Sequence, residues 1–277
     1  MIKKYKSEII FFYLFTSLSL VTAHFVDLKL NIFLNNPKSP FAIWFCNMGE
    51  LPSRLLPILA GVVLFYFCEK KAYRAFGLFS VIAGSAYFGY HIERYFFIEE
   101  NALVFGIIFG LCFGAFVLFF GQFIYFDEKM KRKLVILAFT GLAVMAVQTL
   151  TVENLKYLWG RVRFRDLIAA GSYDAFTSFY VPNGINGNKS FPSGHTASAG
   201  MCYLLLLLPF VSEKLKDKTK LMFVISFVYT EIVAFTRLVM GAHYLSDVAV
   251  GSLISFTYVI IAISVLEKKK IFENITD

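Results

Sequence analysis

Eight long apolar segments dominate this chain of 277 residues, and they constrain its fold more than any other feature. About 20 apolar residues cross a bilayer as a helix. The alternation of polar and apolar residues that is typical of strands is absent. The segments are Ile9–Ala23, Leu51–Cys68, Phe76–Ile92, Ala102–Phe126, Leu134–Val152, Thr196–Val211, Leu221–Phe235 and Val248–Leu266. The sequence therefore predicts an all-α, polytopic membrane bundle of about eight transmembrane helices, in which the shorter segments need flanking residues to complete the span.

The composition excludes most other classes of protein. Hydrophobic residues make up 58% of the chain and charged residues only 17%, whereas a soluble domain carries about 25% charged residues. A disordered chain, a collagen-like fibre and a disulfide scaffold are therefore excluded. The net charge of +8 could indicate a nucleic-acid partner, but the placement of the basic residues favours a bilayer.

Lys and Arg concentrate in every second segment between the apolar runs, as the positive-inside rule requires of cytoplasmic loops. These residues are Lys3, Lys4, Lys6, Lys70, Lys71, Arg74, Lys129, Lys131, Arg132, Lys133, Lys214, Lys216, Lys218, Lys220 and Lys268 to Lys270. We expect an integral protein of the plasma or inner membrane with both termini in the cytoplasm. The alternative for the first segment is a signal peptide that is cleaved after Ala23.

A long polar stretch, from Glu153 to His195, cannot cross the membrane and is predicted to lie on the outer side. Long loops in compact proteins tend to carry function. Three clusters of reactive residues lie in or near this stretch, at the outer ends of predicted helices. They are Lys156 to Arg165, Phe191 to Thr196, and Thr236 to Asp247. Because all three are predicted to face the same side, they can form one site.

The cations of these clusters suit the binding of a phosphate. Lys156, Arg163 and Arg237 can neutralise the oxygens of a transferring phosphoryl group. An Arg can bind two such oxygens at once. Ser193 and the backbone N–H of Gly194 precede a predicted helix, where free N–H groups favour an anion.

Two histidines allow the chemistry of transfer to be divided. One of His195 and His243 can attack phosphorus, and the other can protonate the leaving oxygen. Asp247 follows His243 by one helical turn, so that it can orient the imidazole by a hydrogen bond. These residue types indicate a phosphoryl transfer site.

The three clusters together resemble the signature of the type 2 phosphatidic acid phosphatase family, which shares its site with vanadium haloperoxidases and glucose-6-phosphatase. The resemblance rests on Lys156 and Arg163 with six residues between them, on Pro192-Ser193-Gly194-His195, and on Arg237, His243 and Asp247 at spacings of six and four. It implies a phosphatase core in residues 134–277 preceded by N-terminal transmembrane helices in residues 1–133. Residues 1–277 are predicted to form one integrated membrane domain.

The resemblance also implies a role for each matching residue. His243 would be the nucleophile, with Asp247 as its orienting partner, and His195 would be the general acid. The phosphate would be bound by Lys156, Arg163, Ser193, Gly194 and Arg237. For the phosphatase branch it implies no metal and no cofactor.

The sequence departs from the family pattern at two positions and leaves the roles of two arginines undecided. Phe164 stands where the family usually has Pro, and Thr236 stands where it usually has Ser. The loss of the fixed φ angle of Pro leaves the path of the loop around Arg163 open. Arg161 and Arg165 are either additional phosphate or headgroup ligands, or members of a solvated basic loop that binds anionic lipid.

These observations predict a membrane lipid phosphatase that acts at the outer face through a phosphohistidine. Its substrate would be a lipid phosphate monoester or pyrophosphate, such as a polyprenyl pyrophosphate, phosphatidylglycerol phosphate, phosphatidic acid or a lipid A phosphate. A lipid-to-lipid phosphotransferase would use the same residues. A non-catalytic lipid-binding or transport protein is the alternative from another class, and a haloperoxidase is disfavoured because those relatives are soluble.

Overall fold

The computed structural model describes residues 2–96 and 102–272. It is 78% helical, and the part of the chain that it describes contains no strand. The prediction of an all-α helical bundle is therefore confirmed. The helices are α1 (Lys6–Leu34), α2 (Pro40–Met48), α3 (Leu51–Phe67), α4 (Lys71–Phe96), α5 (Ala102–Gly121), α6 (Glu128–Trp159), α7 (Phe164–Ala170), α8 (Gly194–Ala199), α9 (Leu208–Val211), α10 (Thr219–Val239) and α11 (Leu245–Lys268).

Eight helical stretches of the described chain are long and apolar enough to cross a membrane, in agreement with the predicted number. Large apolar side chains are exposed along them, including Phe25 and Phe79 at 67% and 65% of their surface. A surface of this kind is stable in contact with lipid rather than water. The eight apolar helices are thus compatible with an integral membrane protein.

The ends of several predicted segments differ from those of the helices. The first helix continues past the predicted end at Ala23 to Leu34, because Asp27 and Asn31 of its last turns are buried and hydrogen-bonded rather than solvated. An additional helix, α2, precedes the second predicted segment. It begins because the hydroxyl of Ser39 accepts the N–H of Ala42 and Pro40 fits the first helical turn.

The sixth predicted segment is an interrupted helix. Its first turns are α8, its middle is a 3-10 helix at Gly200–Leu207, and α9 completes it. Gly200 lies where the change begins. A Cβ built on this glycine would lie 2.5 Å from the Cβ of Ser255, so the close approach of the two backbones requires a glycine there.

The chain forms two compact units. Unit 1 comprises residues 1–50, 146–206 and 218–263, and unit 2 comprises residues 51–145, 207–217 and 264–277. Unit 1 has an aromatic interior in which the rings of Phe12 and Phe256 stack at 3.9 Å between centroids and Tyr203 packs edge-on against both. The predicted division of the chain between residues 133 and 134 stays a prediction.

Unit 2 is built around the close packing of α3, α4 and α5. A Cβ on Gly61 of α3 would lie 2.6 Å from the carbonyl oxygen of Gly77 on α4, so that both positions depend on the absence of a side chain. Ile58, Val62, Val81 and Phe88 fill the space beside these contacts. Small residues allow helices to pack at close distance. Within a membrane, the van der Waals contacts of such packing drive helix association, because the hydrophobic effect does not act between helices there.

Candidate active site

The predicted site residues lie at the ends of helices of unit 1. Lys156 is in the last turn of α6 and Arg163 is the N-cap residue of α7. Ser193 is the N-cap residue of α8. Arg237 lies in the last turn of α10 and Asp247 in the first turn of α11.

The second predicted cluster contacts both of the others. The backbone N–H of Ser193 donates to the carbonyl oxygen of Asp247 at 2.9 Å. A Cβ built on Gly194 would lie 2.6 Å from Nζ of Lys156, so the ammonium of Lys156 lies directly against this glycine. The structure therefore brings residues of all three clusters to one place, although about 90 residues of chain separate the first from the last.

His243 lies in the turn between α10 and α11 and is 4% exposed. Its Nδ1 lies 2.7 Å from the backbone carbonyl oxygen of Ser190. Because a carbonyl oxygen only accepts, Nδ1 carries the proton of the neutral ring, and the lone pair is on Nε2. The pKa of His243 is lowered to about 4, mainly by burial; Arg237 and Arg163 contribute to the shift, and Asp247 opposes it. The imidazole is thus held neutral, in the tautomer that a nucleophilic Nε2 requires.

Asp247 is fully buried and receives three hydrogen bonds. Oδ1 accepts from Nη1 of Arg161 at 2.6 Å, and Oδ2 accepts from the Ser190 hydroxyl at 2.6 Å and from the backbone N–H of Tyr244 at 2.9 Å. Its distance to Nδ1 of His243 is 3.6 Å, which is longer than a hydrogen bond. Asp247 therefore acts on His243 through its charge and through Ser190, whose carbonyl makes the direct hydrogen bond.

Arg237 combines burial with unused hydrogen-bond donors. Its side chain is 4% exposed, and Nε and Nη1 have no hydrogen-bond partner among the described residues. Buried polar groups are almost always hydrogen-bonded, and a buried charge is almost always paired. Two free donors on a buried cation are therefore strong evidence for an anion-binding position. The backbone N–H of His243 donates to the carbonyl oxygen of Arg237 at 3.3 Å, and the charges of Arg237 and Arg163 both lower the pKa of His243.

Ser193 and Gly194 occupy the start of α8. The hydroxyl oxygen of Ser193 accepts the backbone N–H of Thr196 at 3.3 Å and its hydroxyl at 3.0 Å. A serine hydroxyl that accepts twice still has its own O–H to donate. The first N–H groups of a helix have no partner within the helix, so Gly194 also offers a donor beside the ammonium of Lys156.

His195 pairs with a carboxylate that precedes α3. Its Nδ1 lies 3.5 Å from Oε1 of Glu50. The side chains are 28% and 13% exposed, so His195 is the more accessible of the two site histidines. A carboxylate beside Nδ1 can orient the imidazole of His195 within the site.

A sequence model of the PAP2 superfamily matches residues 133–271, a range that contains all three clusters. The chain belongs to the PAP2 superfamily. Membership of this superfamily supports a phosphatase-type hydrolase that acts on phosphate esters. No curated protein and no solved structure matches the chain significantly.

Arg161 is neither a phosphate or headgroup ligand nor a member of a solvated basic loop, the two roles that its sequence context suggested. It is fully buried, so it is not part of a solvated loop, and its guanidinium is bound by protein acceptors rather than left open to a phosphate. Nη1 donates to Asp247, Nη2 donates to Asp27 and Nε donates to the carbonyl oxygen of Thr177. Arg165, in contrast, is half exposed, and its Nε lies 3.8 Å from Oδ1 of Asp166.

Phe164 replaces the usual Pro of the PAP2 pattern without displacing the helix that starts there. It is the first residue of α7, a position where Pro is favoured because no intrahelical N–H bond is needed. Its ring is 1% exposed, stacks on Tyr173 at 6.0 Å and packs edge-on against Tyr244. Burial of the ring thus fixes the start of α7 in place of the fixed φ angle.

Thr236 uses its hydroxyl within its own helix, where it donates to the carbonyl oxygen of Val233 at 2.7 Å.

Two carboxylates and one backbone carbonyl that contact residues of the three clusters were not predicted from the sequence. Ser190, Glu50 and Asp27 lie outside the matched motif positions, and Glu50 and Asp27 precede the matched range altogether. One sequence signal for Asp27 exists. It is an acidic residue in a helix long and apolar enough to cross a membrane, and such residues usually have a functional partner.

Proposed function

We propose that this protein hydrolyses a lipid phosphate monoester or pyrophosphate at the outer face of a membrane, through a phosphohistidine on His243. One observation carries the proposal. Arg237, a buried arginine whose Nε and Nη1 have no partner among the described residues, accepts the backbone N–H of His243 on its carbonyl oxygen, and the buried neutral imidazole of His243 has its lone pair on Nε2. The donors fit the oxygens of a phosphate, and the lone pair fits an attack on its phosphorus.

In the first step Nε2 of His243 attacks phosphorus in line with the leaving oxygen. Lys156, Arg163 and Arg237 neutralise the charge on the phosphoryl oxygens, with further donors from the Ser193 hydroxyl and the Gly194 N–H. As the P–O bond breaks, His195 gives its proton to the leaving oxygen, which departs as a lipid alcohol or a lipid monophosphate. The imidazole of His243 becomes positively charged, and Asp247 stabilises that charge.

In the second step water attacks the phosphorus of the phosphohistidine. His195, which has lost its proton, now accepts one from the water. The P–N bond breaks, and its electron pair returns to Nε2 of His243. Inorganic phosphate leaves, and both histidines regain the state in which they began. The pairing of His195 with Glu50 suits this alternation, because a carboxylate 3.5 Å from Nδ1 can orient the imidazole in both steps.

The membrane-compatible helices and the distribution of charge support the proposal of a lipid substrate and an outer active site. The candidate site lies at the ends of apolar helices, where a headgroup would be located while its acyl or prenyl chains remain in the bilayer. The basic loops predict a cytoplasmic position for both termini, which puts the helix ends that carry His195 and His243 on the other side.

The proposal is tested by phosphate release from purified protein in detergent, over a panel of lipid phosphates and pyrophosphates, with EDTA present throughout. We expect release by the wild type and loss of at least 1,000-fold in His243→Ala and His195→Ala, as is usual when a nucleophile or its proton donor is removed. Wild-type release by His243→Ala would contradict the role of the nucleophile. Consumption of the lipid that requires a second lipid as acceptor would identify a phosphotransferase instead.

The sidedness is tested separately by labelling single cysteines in intact cells or spheroplasts. A cysteine at Asn186 should react with an impermeant reagent from outside, and one at Lys216 should react only after the membrane is permeabilised. Both positions lie in connecting segments outside the long helices and are exposed, so that a reagent on the corresponding side can reach them. The reverse pattern of labelling would invert the proposed topology.

A further inference from the structure

We propose that Asp27 of α1 is a positioning residue of the active site, which acts on His243 through Arg161 and Asp247. This role rests on the proposed use of His243 as the nucleophile. It extends the catalytic machinery to a helix that lies outside the range matched by the PAP2 superfamily. The contacts that connect Asp27 to the site are all within unit 1.

The guanidinium of Arg161 lies between two buried carboxylates. Nη2 donates to Oδ2 of Asp27 at 3.0 Å, and Nη1 donates to Oδ1 of Asp247 at 2.6 Å. Arg161 and Asp247 are fully buried, and Asp27 is 4% exposed. Water therefore screens these charges little, and each of them influences its neighbours more strongly than at the surface.

Asp27 is held rigidly from the other side by the start of α11. The backbone N–H of Ser246 donates to Oδ1 at 3.0 Å, and the Ser246 hydroxyl donates to Oδ2. The same hydroxyl accepts from Nη1 of Arg161 at 2.8 Å. The Arg161 guanidinium is further fixed over the ring of Tyr244 at 4.1 Å. This arrangement leaves Arg161 a single position, in which it binds Asp247.

The charge of Asp27 matters for the nucleophile as much as its position. A pair of Arg161 and Asp247 alone would be neutral, and Asp247 would then stabilise a positive imidazole only weakly. With Asp27 the three residues carry a net charge of −1. The charged residues that influence the pKa of His243 are Asp247 on α11, which lies 3.6 Å from Nδ1, Arg237 on α10 and Arg163 at the start of α7. The additional negative charge counteracts these two arginines when His243 becomes positively charged during attack.

Asn31, one turn after Asp27 on α1, supports the same interpretation. Its Nδ2 donates to the backbone carbonyl oxygen of His243 at 3.0 Å, and the residue is fully buried. The same face of α1 thus contacts both the backbone of the nucleophile and the charge network behind it. A helix that only anchored the protein in the membrane would have no reason to bury two polar side chains here.

The test compares Asp27→Asn with Thr16→Val in the full-length protein in detergent. Thr16 is a polar residue of α1 with the same 4% exposure, so its variant controls for a general disturbance of the helix. The probes are orthovanadate, which bonds to an imidazole nitrogen in the five-coordinate geometry of the transition state, and inorganic phosphate, which reports ground-state binding. Binding is measured by calorimetry or by ⁵¹V NMR, alongside phosphate release from the lipid panel.

We expect Asp27→Asn to weaken vanadate binding roughly tenfold, the effect of one unit of pKa on the nucleophile, and to change phosphate binding less than twofold. Its kcat should fall by a similar factor with little change in KM, and Thr16→Val should resemble the wild type in every measurement. Equal vanadate affinity in Asp27→Asn and the wild type would overturn the proposal. An equal loss of affinity for vanadate and for phosphate would overturn it as well.

Two further results distinguish this proposal from the proposed function. Selective loss of vanadate binding by Asp27→Asn, in a protein that hydrolyses no lipid phosphate, would support the positioning role and contradict the lipid phosphatase. If Asp27→Asn does not fold, Ser246→Ala decides, since it removes one hydroxyl that contacts both Asp27 and Arg161. Ser246→Ala should weaken vanadate binding at least twofold and leave phosphate binding unchanged. An unchanged vanadate affinity would overturn the proposal.

Discussion

Replacing Arg237 by Met should lower activity strongly without destabilising the protein. Met has a similar length and no charge, so the aliphatic contacts of the arginine are largely retained. The wild-type protein without ligand keeps a buried cation whose Nε and Nη1 have no partner among the described residues. A buried donor that lacks a partner costs about 1–3 kcal/mol of stability. The variant removes that cost together with the phosphate ligand.

The expected magnitudes follow from these two donors. A hydrogen bond to a charged group contributes about 1.5–3 kcal/mol, so two bonds to the phosphoryl oxygens contribute about 3 kcal/mol even at the lower value. Since each 1.36 kcal/mol is tenfold in rate, kcat/KM should fall roughly 100-fold. The free energy of unfolding should rise by about 1 kcal/mol or more because the unpaired donors are gone.

Arg161→Met is the matched control, because Arg161 is equally buried but its donors are all engaged. Its removal leaves Asp27 and Asp247 facing each other without a cation, which should cost about 3–5 kcal/mol of stability. The two variants are compared by phosphate release and by thermal unfolding in detergent. A clear loss of stability in Arg237→Met with near-normal phosphate release would refute the assignment of Arg237 as a phosphate ligand.

The remaining predictions concern three other contacts of the site. Burial places the pKa of His243 at about 4, below its value in the unfolded chain. The free energy of unfolding should therefore decrease as pH falls from about 6.5 to 4. Over that range, the thermal midpoint of a His243→Asn variant should decrease less than that of the wild type. Gly194→Ala would put a Cβ 2.6 Å from Nζ of Lys156, so KM should rise at least several-fold, and retained KM would show that the ammonium is not needed there. Glu50→Gln should lower kcat roughly tenfold with little change in KM, because the carboxylate that lies 3.5 Å from Nδ1 of His195 would no longer orient that imidazole; a wild-type kcat in this variant would contradict that role.

The positions of the apolar helices could be predicted from the sequence because a bilayer imposes a length and a composition on each span. Their ends could not. The first span was predicted to end at Ala23, where polar residues begin to appear, yet the helix continues to Leu34. The polar residues of its last turns are buried against partners far along the chain, 134 residues away for Asp27 and Arg161. Hydropathy does not detect such partners.

The same limitation explains what was missed in the site. The motif residues are recognisable because their order and spacing are typical of a family. Ser190 contributes a backbone carbonyl to His243, and a backbone group leaves no trace in the sequence. Arg161 could be recognised as basic but its environment could not, because a basic residue followed closely by Arg163 and Arg165 looks solvated until Asp27 is placed beside it. Glu50 became part of the site only through the fold of unit 1.

The position of Asp27 on α1 also limits how small a working version of this protein can be. A fragment that begins at residue 133 would contain every residue of the three motifs and the whole range that identifies the family. It would nevertheless carry Arg161 and Asp247 without the second carboxylate, and His243 without the amide of Asn31. On the proposed role of Asp27, the boundary by which the family is recognised is not the boundary of the smallest active enzyme. Efforts to shorten this protein should remove helices of unit 2 before they remove the first.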